Sequence, residues 1–216
     1  MIKSFLLFII LLTGRGLSFC STTGLKQFSK RLYEETAEID DVTFEFTQKI
    51  YVAGSTDTVK AEVFYKRPGL FFVSYTRPAV QEIYFDGEHL ITYTPRIRQA
   101  TSRKVDFNNR ILGVSAGIIF SSEGLEDLKK DHKIQMAEEE EGVVKIEAVP
   151  HQKREYEKMF ISFDSKTMLP FQARTTAPHA SSVTRFKNYR LNSSLEEDVF
   201  HFEPPDNVDF IRLDKR

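Results

Sequence analysis

Val42-Thr43-Phe44-Glu45-Phe46-Thr47 alternates apolar and polar side chains, and after Gly54-Ser55-Thr56-Asp57 the rhythm returns. Val59, Ala61, Val63 and Tyr65 are interleaved there with Lys60, Glu62 and Lys66. A period of two is the mark of a strand with one buried face, and a glycine-containing turn between two such runs makes them a hairpin. These two strands set the expectation for everything downstream.

Residues 70–75 form a nearly continuous apolar run, expected to be covered on both faces. Ile83-Tyr84-Phe85 and Leu90-Ile91-Thr92-Tyr93 then flank Asp86-Gly87, a tight hairpin turn. The second half repeats this style. Val144, Ile146 and Ala148 alternate after a turn at Gly142, Met159, Ile161 and Phe163 lead into Asp164-Ser165-Lys166-Thr167, and residues 183–191 make a further strand. No strand–helix–strand rhythm appears, so the sheet is expected to be antiparallel.

Two segments depart from this pattern. After Gly24, Leu25, Phe28 and Leu32 recur at helical spacing, while Lys26, Lys30, Arg31, Glu34 and Glu35 occupy much of the other faces. Such an amphipathic helix must lay its apolar stripe on something. Residues 107–120 hold Ile111, Leu112, Val114, Ile118, Ile119 and Phe120, broken by Gly113 and Gly117. That stretch is too apolar for a solvated loop and too rich in glycine for a rigid helix. Its composition suits a mobile apolar cover, and equally an ordinary connection packed on the sheet.

The N-terminus reads as an export signal over residues 1–20. Lys3 precedes an apolar run at residues 5–12, far short of the roughly 20 residues a membrane span needs, and Gly14 and Gly16 follow. Ser18 and Cys20 fit cleavage that releases a chain beginning at Ser21. Leu17-Ser18-Phe19-Cys20 also resembles a lipobox, which would leave a lipidated Cys20 as an anchor. Cys20 is the only cysteine, so no disulfide can staple the remaining single domain, residues 21–216, and its core must hold it. The formal net charge is −1, a balance that gives no reason to expect nucleic acid as a partner.

Catalytic and metal signatures are missing from the sequence. His89, His132, His151, His179 and His201 show no metal-ligand spacing, and no nucleophile elbow, phosphate loop or dinucleotide fingerprint occurs. The acidic run at residues 138–141 reads as a solvated hairpin tip. No enzyme, metal or cofactor is expected. The unusual feature is 19 phenylalanines against eight tyrosines and no tryptophan; taken alone, this describes a packed core.

Phe44-Glu45-Phe46-Thr47-Gln48-Lys49 resembles the opening strand of LolA proteins, the periplasmic carriers of outer-membrane lipoproteins. Lys66-Arg67-Pro68-Gly69-Leu70-Phe71 is similar to their basic-Arg-Pro signature. Asp86-Gly87, Tyr93, Gln99-Ala100 and the closing Phe200-His201-Phe202-Glu203-Pro204-Pro205 follow in the family's order. Phe71, Phe72 and Val73 stand where the family often has tryptophan, and residues 101–135 match only in apolar character.

The resemblance implies a strongly curved, incomplete antiparallel barrel, covered by an N-terminal helix and a central lid over an apolar cavity. It implies a periplasmic chaperone and no catalysis. The cargo would be acylated lipoproteins, loaded by an inner-membrane lipoprotein-releasing ABC transporter and passed to an outer-membrane acceptor or to the outer membrane itself. The cavity and lid residues would include Phe44, Phe46, Phe64, Arg67, Phe72, Ile111, Leu112, Ile118, Ile119 and Phe120. In the family the arginine equivalent to Arg67 bonds lid carbonyls and latches the unloaded form. Alternatives on the same fold are a membrane-anchored acceptor of the LolB type and an envelope lipid or lipoprotein sensor.

Overall fold

The computed structural model describes residues 22–105, 122–140, 142–153 and 156–213. One open sheet of twelve strands, an incomplete barrel, carries two helices on its inner face. Helix α1 (Thr22–Thr36) precedes strands β1 (Asp41–Val52), β2 (Ser55–Lys66), β3 (Leu70–Arg77), β4 (Gln81–Phe85), β5 (His89–Thr94) and β6 (Gln99–Lys104). Helix α2 (Ser122–Asp131) leads into β7 (His132–Glu140), β8 (Val143–Pro150), β9 (Lys158–Asp164), β10 (Pro170–Thr176) and β11 (Ala180–Leu191). Strand β12 (Asp209–Arg212) closes the chain.

The sheet order is β12-β6-β5-β4-β3-β2-β1-β11-β10-β9-β8-β7, so β1 joins two hairpin meanders by pairing with β11. Every pair but one is antiparallel. The exception corrects the sequence expectation: β12 runs parallel to β6, Asp209 opposite Gln99 and Arg212 opposite Ser102. The chain leaves β11 and makes a 3-10 turn at Glu197–Phe200, reaching the edge strand through a Pro204-Pro205 step that ends in parallel orientation.

Local chemistry fixes the turns. The β1–β2 turn is tighter than the sequence suggests. Ala53 and Gly54 occupy it with φ of +46° and +83°, and Ser55 opposes Val52 directly. Positive φ at both central residues suits the right-handed strand twist, and glycine takes the second position without strain. Gly87 has φ +100°, and the Asp86 carboxylate accepts from the amides of Glu88 at 2.9 Å and His89 at 2.7 Å.

The core lies between the inner face and the helices. Phe28, Leu32, Leu125, Leu128, Phe44, Ile146, Ile161, Phe163 and Phe186 are buried together there. Helix α2 escapes a periodicity reading because Leu125 and Leu128 are its only large apolar residues. Both are buried.

Candidate functional site

Strand register decides which side chains can line a cavity. Phe44 opposes Val63, Val63 opposes Val73, and Val73 opposes Ile83, so all four share the inner face. Phe46 joins them through Ala61 on one side and Phe186 on the other. Phe71 opposes Phe85 and stacks on it at 5.3 Å between ring centroids. This part of the inner surface is hydrocarbon, and its phenylalanines bring no polar atom that would need a partner. Further along β1, β10 and β11 the same face carries Gln48, Thr175, Ser182 and Thr184. Gln48 donates there to the Ser182 hydroxyl at 3.3 Å, and the Thr175 and Ser182 hydroxyls bond at 2.8 Å.

Phe64 and Phe72 are on the other side of the sheet, which corrects their expected place in the cavity. Each sits one residue out of phase with Val63 and Val73, and a single step along a strand reverses the face. They stack on each other at 5.3 Å, and Phe72 stacks on Tyr84 at 4.5 Å. Phe202 of the C-terminal segment packs against Tyr84 at 5.4 Å and Tyr93 at 5.2 Å. The phenylalanine surplus therefore serves two layers, an inner core and an outer aromatic seam.

Helix α1 lies across the inner face. Phe28 meets Phe163 edge-on at 5.1 Å, and Leu32 has no exposed surface. Helix α2 sits beside α1, where the Lys129 ammonium donates to the Ser29 hydroxyl at 3.4 Å. Buried His132, just past α2, bonds the Leu128 carbonyl through Nδ1 at 3.1 Å and the Tyr156 hydroxyl through Nε2 at 2.7 Å. At the margin of α1 a cavity of about 250 Å³ has Phe28, Met136 and Val144 among its lining residues. Arg31 and Glu139, also in its wall, form an ion pair at 3.1 Å.

Arg67 ties this cover to the sheet. Its guanidinium donates to the Ala37 carbonyl at 2.7 Å and the Thr36 carbonyl at 3.1 Å, and its amide donates to the Asp40 carbonyl at 2.8 Å. The last carbonyls of a helix have no partner within it and carry partial negative charge. A planar cation with several donors, placed at the β2–β3 turn, reaches two carbonyls at once. One is the last carbonyl of α1, that of Thr36, which the Ile39 amide also meets at 3.1 Å, and the other is that of Ala37 just beyond it.

A second knot beside it is invisible in the sequence. Asn192 accepts from the Asp40 amide at 2.8 Å and donates to the Glu38 carbonyl at 2.9 Å. The buried Asp41 carboxylate accepts from the amides of Ser193 at 2.7 Å and Leu195 at 3.2 Å. The α1 exit, the end of β11 and the C-terminal segment are thereby fastened at one place. Asn192 reads in the sequence only as a turn residue, and nothing near it in the chain signals a partner 152 positions away.

The charged groups of the site, Arg67, Asp41 and the Arg31–Glu139 pair, lie at its margins, and two tyrosines are partly buried within it. Tyr189 donates to the Pro170 carbonyl at 2.6 Å, and burial pushes its phenol well above the ordinary tyrosine range. Burial also raises the Tyr75 phenol. Among the described residues no group of three or more histidine, cysteine or acidic side chains could hold a metal ion. The arrangement suits shelter of apolar chains. Ile111, Leu112, Ile118, Ile119 and Phe120 lie outside the described residues, as does Cys20.

Residues 37–203 match a family model described as outer membrane lipoprotein carrier protein LolA. The chain is 30% identical over 176 residues to an outer-membrane lipoprotein carrier protein of Cupriavidus necator, covering 78% of this chain and 80% of that protein. It is 27% identical over 191 residues to the protein of the same description in Neisseria meningitidis serogroup B, covering 87% and 84%. Among solved structures, an uncharacterized conserved protein from Thermus thermophilus is similar with a TM-score of 0.59. At 8% identity over 88% of this chain and 99% of that one, the likeness is one of fold.

Proposed function

Because the chain belongs to the LolA family of outer-membrane lipoprotein carrier proteins, we propose that it shelters lipoprotein acyl chains on its inner face during transit between the two membranes. The observation that carries this reading is the pairing of an apolar inner face with a helical cover held to the rim by Arg67. Phe44, Phe46, Phe71, Val73 and Phe85 would form the walls, and Ile111, Leu112, Ile118, Ile119 and Phe120 the lid. Phe64 and Phe72 support the sheet from behind.

Residues 1–20 act as the export signal in this reading, and residues 21–216 work as one domain in the periplasm. An inner-membrane ABC transporter loads the lipoprotein, and an acceptor at the outer membrane takes it. No helix of the described residues is long and apolar enough to cross a membrane.

Energetics make the latch useful. Burying one methylene stabilises by about 0.8 kcal/mol, so several acyl chains fully enclosed would total tens of kcal/mol. A carrier that captured all of that would never release its cargo. Entry of lipid must open the cover and break the Arg67 bonds, and this cost offsets part of the gain. Because the membranes at either end shelter the acyl chains as well, most of that gain cancels in each exchange. A cost of a few kcal/mol at the cover is then enough to keep transfer close to reversible, its direction set by the donor and the acceptor.

The test is an Arg67→Leu variant in a two-step transfer assay. It should take lipoprotein from inner-membrane vesicles and fail to pass it to outer-membrane acceptor. Normal delivery by that variant would refute the latch.

A further inference from the structure

The outer face carries a group of cations that cargo binding does not use. Cross-strand register places Lys60, Thr47, Arg185 and Gln172 in one row, and Thr58, Lys49, Val183 and Arg174 in the next. Arg77 on β3 opposes Lys60 past a β-bulge, which sets it out of phase with Tyr75 opposite the inner-facing Ala61. Side chains in a row, and two residues apart along a strand, point the same way. Lys49, Lys60, Arg77, Arg174 and Arg185 therefore stand together, and all five are exposed. With strands about 4.8 Å apart and rows about 7 Å apart, the patch measures roughly 20 Å by 7 Å.

Nearby acids are already engaged. On the same face Glu45 pairs with Lys187 at 3.0 Å, Glu62 with Arg190 at 2.8 Å and Glu147 with Lys158 at 2.7 Å. Among the described residues no carboxylate pairs with any of the five. One row further along, Tyr51 is 40% exposed on the same face, and Val52 at the hairpin turn is 41% exposed.

We propose that this face docks on an anionic phospholipid bilayer, the five cations over phosphate groups and the Tyr51 tip at the headgroup boundary. A single small anion needs donors converging on one point, whereas these are spread over five strands. A protein interface usually has an apolar centre with its charges at the rim. Here the charges hold the centre, and the exposed aromatic residue lies at the edge. Guanidinium groups match phosphate oxygens in pairs, and tyrosine favours the membrane–water boundary. Such docking is weak and salt-sensitive, which suits a carrier that must leave each membrane. It does not depend on the cargo assignment.

Co-sedimentation of the purified, cargo-free protein with vesicles tests it. The protein should bind vesicles of phosphatidylglycerol and phosphatidylethanolamine but not phosphatidylcholine alone, and salt should weaken binding. Near an anionic surface each basic residue contributes about fivefold in affinity, so K49Q/R185Q should bind about 25-fold more weakly. Lys26→Gln, on the exposed side of α1, should bind as the parent does, and circular dichroism should show both variants folded. Equal binding to both lipids, no binding to the anionic vesicles, or an unaffected double variant would overturn the proposal. If the protein ignores vesicles but polyglutamate captures it in a way that K49Q/R185Q abolishes, the patch belongs to an acidic protein instead. Arg67→Leu should keep full vesicle binding, so failure of docking and failure of the latch are separable.

Discussion

Replacing Arg67 with leucine should loosen α1 before it loosens the sheet. The substitution removes two bonds, to the carbonyls of Thr36 and Ala37, while the packing of Phe28 and Leu32 stays intact. A hydrogen bond to a charged group contributes about 1.5–3 kcal/mol when shielded from water, and much less when solvated. One of these two is exposed and the other part-buried, so about 2 kcal/mol for the pair is a fair sum, including the favourable position at a helix C-terminus. That corresponds to an approximately 30-fold rise in α1 opening. Amide hydrogen exchange reads it directly: α1 amides should exchange faster by about that factor, while those of β8 and β9 hold their protection. Arg67→Lys keeps the charge but loses the planar fork, and should fall between the two. Unchanged exchange in α1, or equal acceleration in α1, β8 and β9, would refute the reasoning.

Three further outcomes follow from the same geometry. Leu32→Ala, at a position with no exposed surface, should cost about 2–5 kcal/mol in urea unfolding, because the rigid sheet beneath cannot close the space. A photo-reactive residue in place of Phe46 should crosslink acylated cargo, whereas one in place of Phe64, on the outer face, should not. The Asp164 carboxyl is held below its ordinary range chiefly by the Thr167 amide, with the Lys166 amide and the Thr167 hydroxyl adding to it. Since the folded pKa is depressed, its contribution is present above the unfolded carboxyl pKa and disappears as pH falls through the folded value. The difference in urea midpoint between the parent and Asp164→Asn should therefore be full at neutral pH and vanish in strong acid.

What the sequence could convey divides along physical lines. The alternation in β1 and β2 is a local signal, and it identifies the buried faces of Phe44 and Phe46 because one side of each strand is polar. In residues 70–75 both sides are apolar, so alternation cannot tell Phe71 from Phe72. Phe64 is different: it falls on the polar phase of β2 with Lys60, Glu62 and Lys66, so the alternation itself puts it on the outer face. Phe72 is stacked on Tyr84, and Tyr84 is met in turn by Phe202, far along the chain. Arg67 could be singled out only through resemblance; its carbonyl partners are about 30 positions away and are fixed by how α1 ends. Strand β12 has four residues, too few for a periodic signal, and its parallel pairing depends on the path after β11. The outer basic patch has no signature in the sequence, since Lys49, Lys60 and Arg185 become neighbours only through register.

Native mass spectrometry of the protein released gently from its own cell envelope tests the carrier function most directly. A one-to-one complex with an acylated lipoprotein, held through its lipid so that delipidation frees the cargo, is the predicted result. A chain that emerges without acylated protein, and takes none up when offered purified lipoprotein in detergent below its micelle concentration, would contradict it.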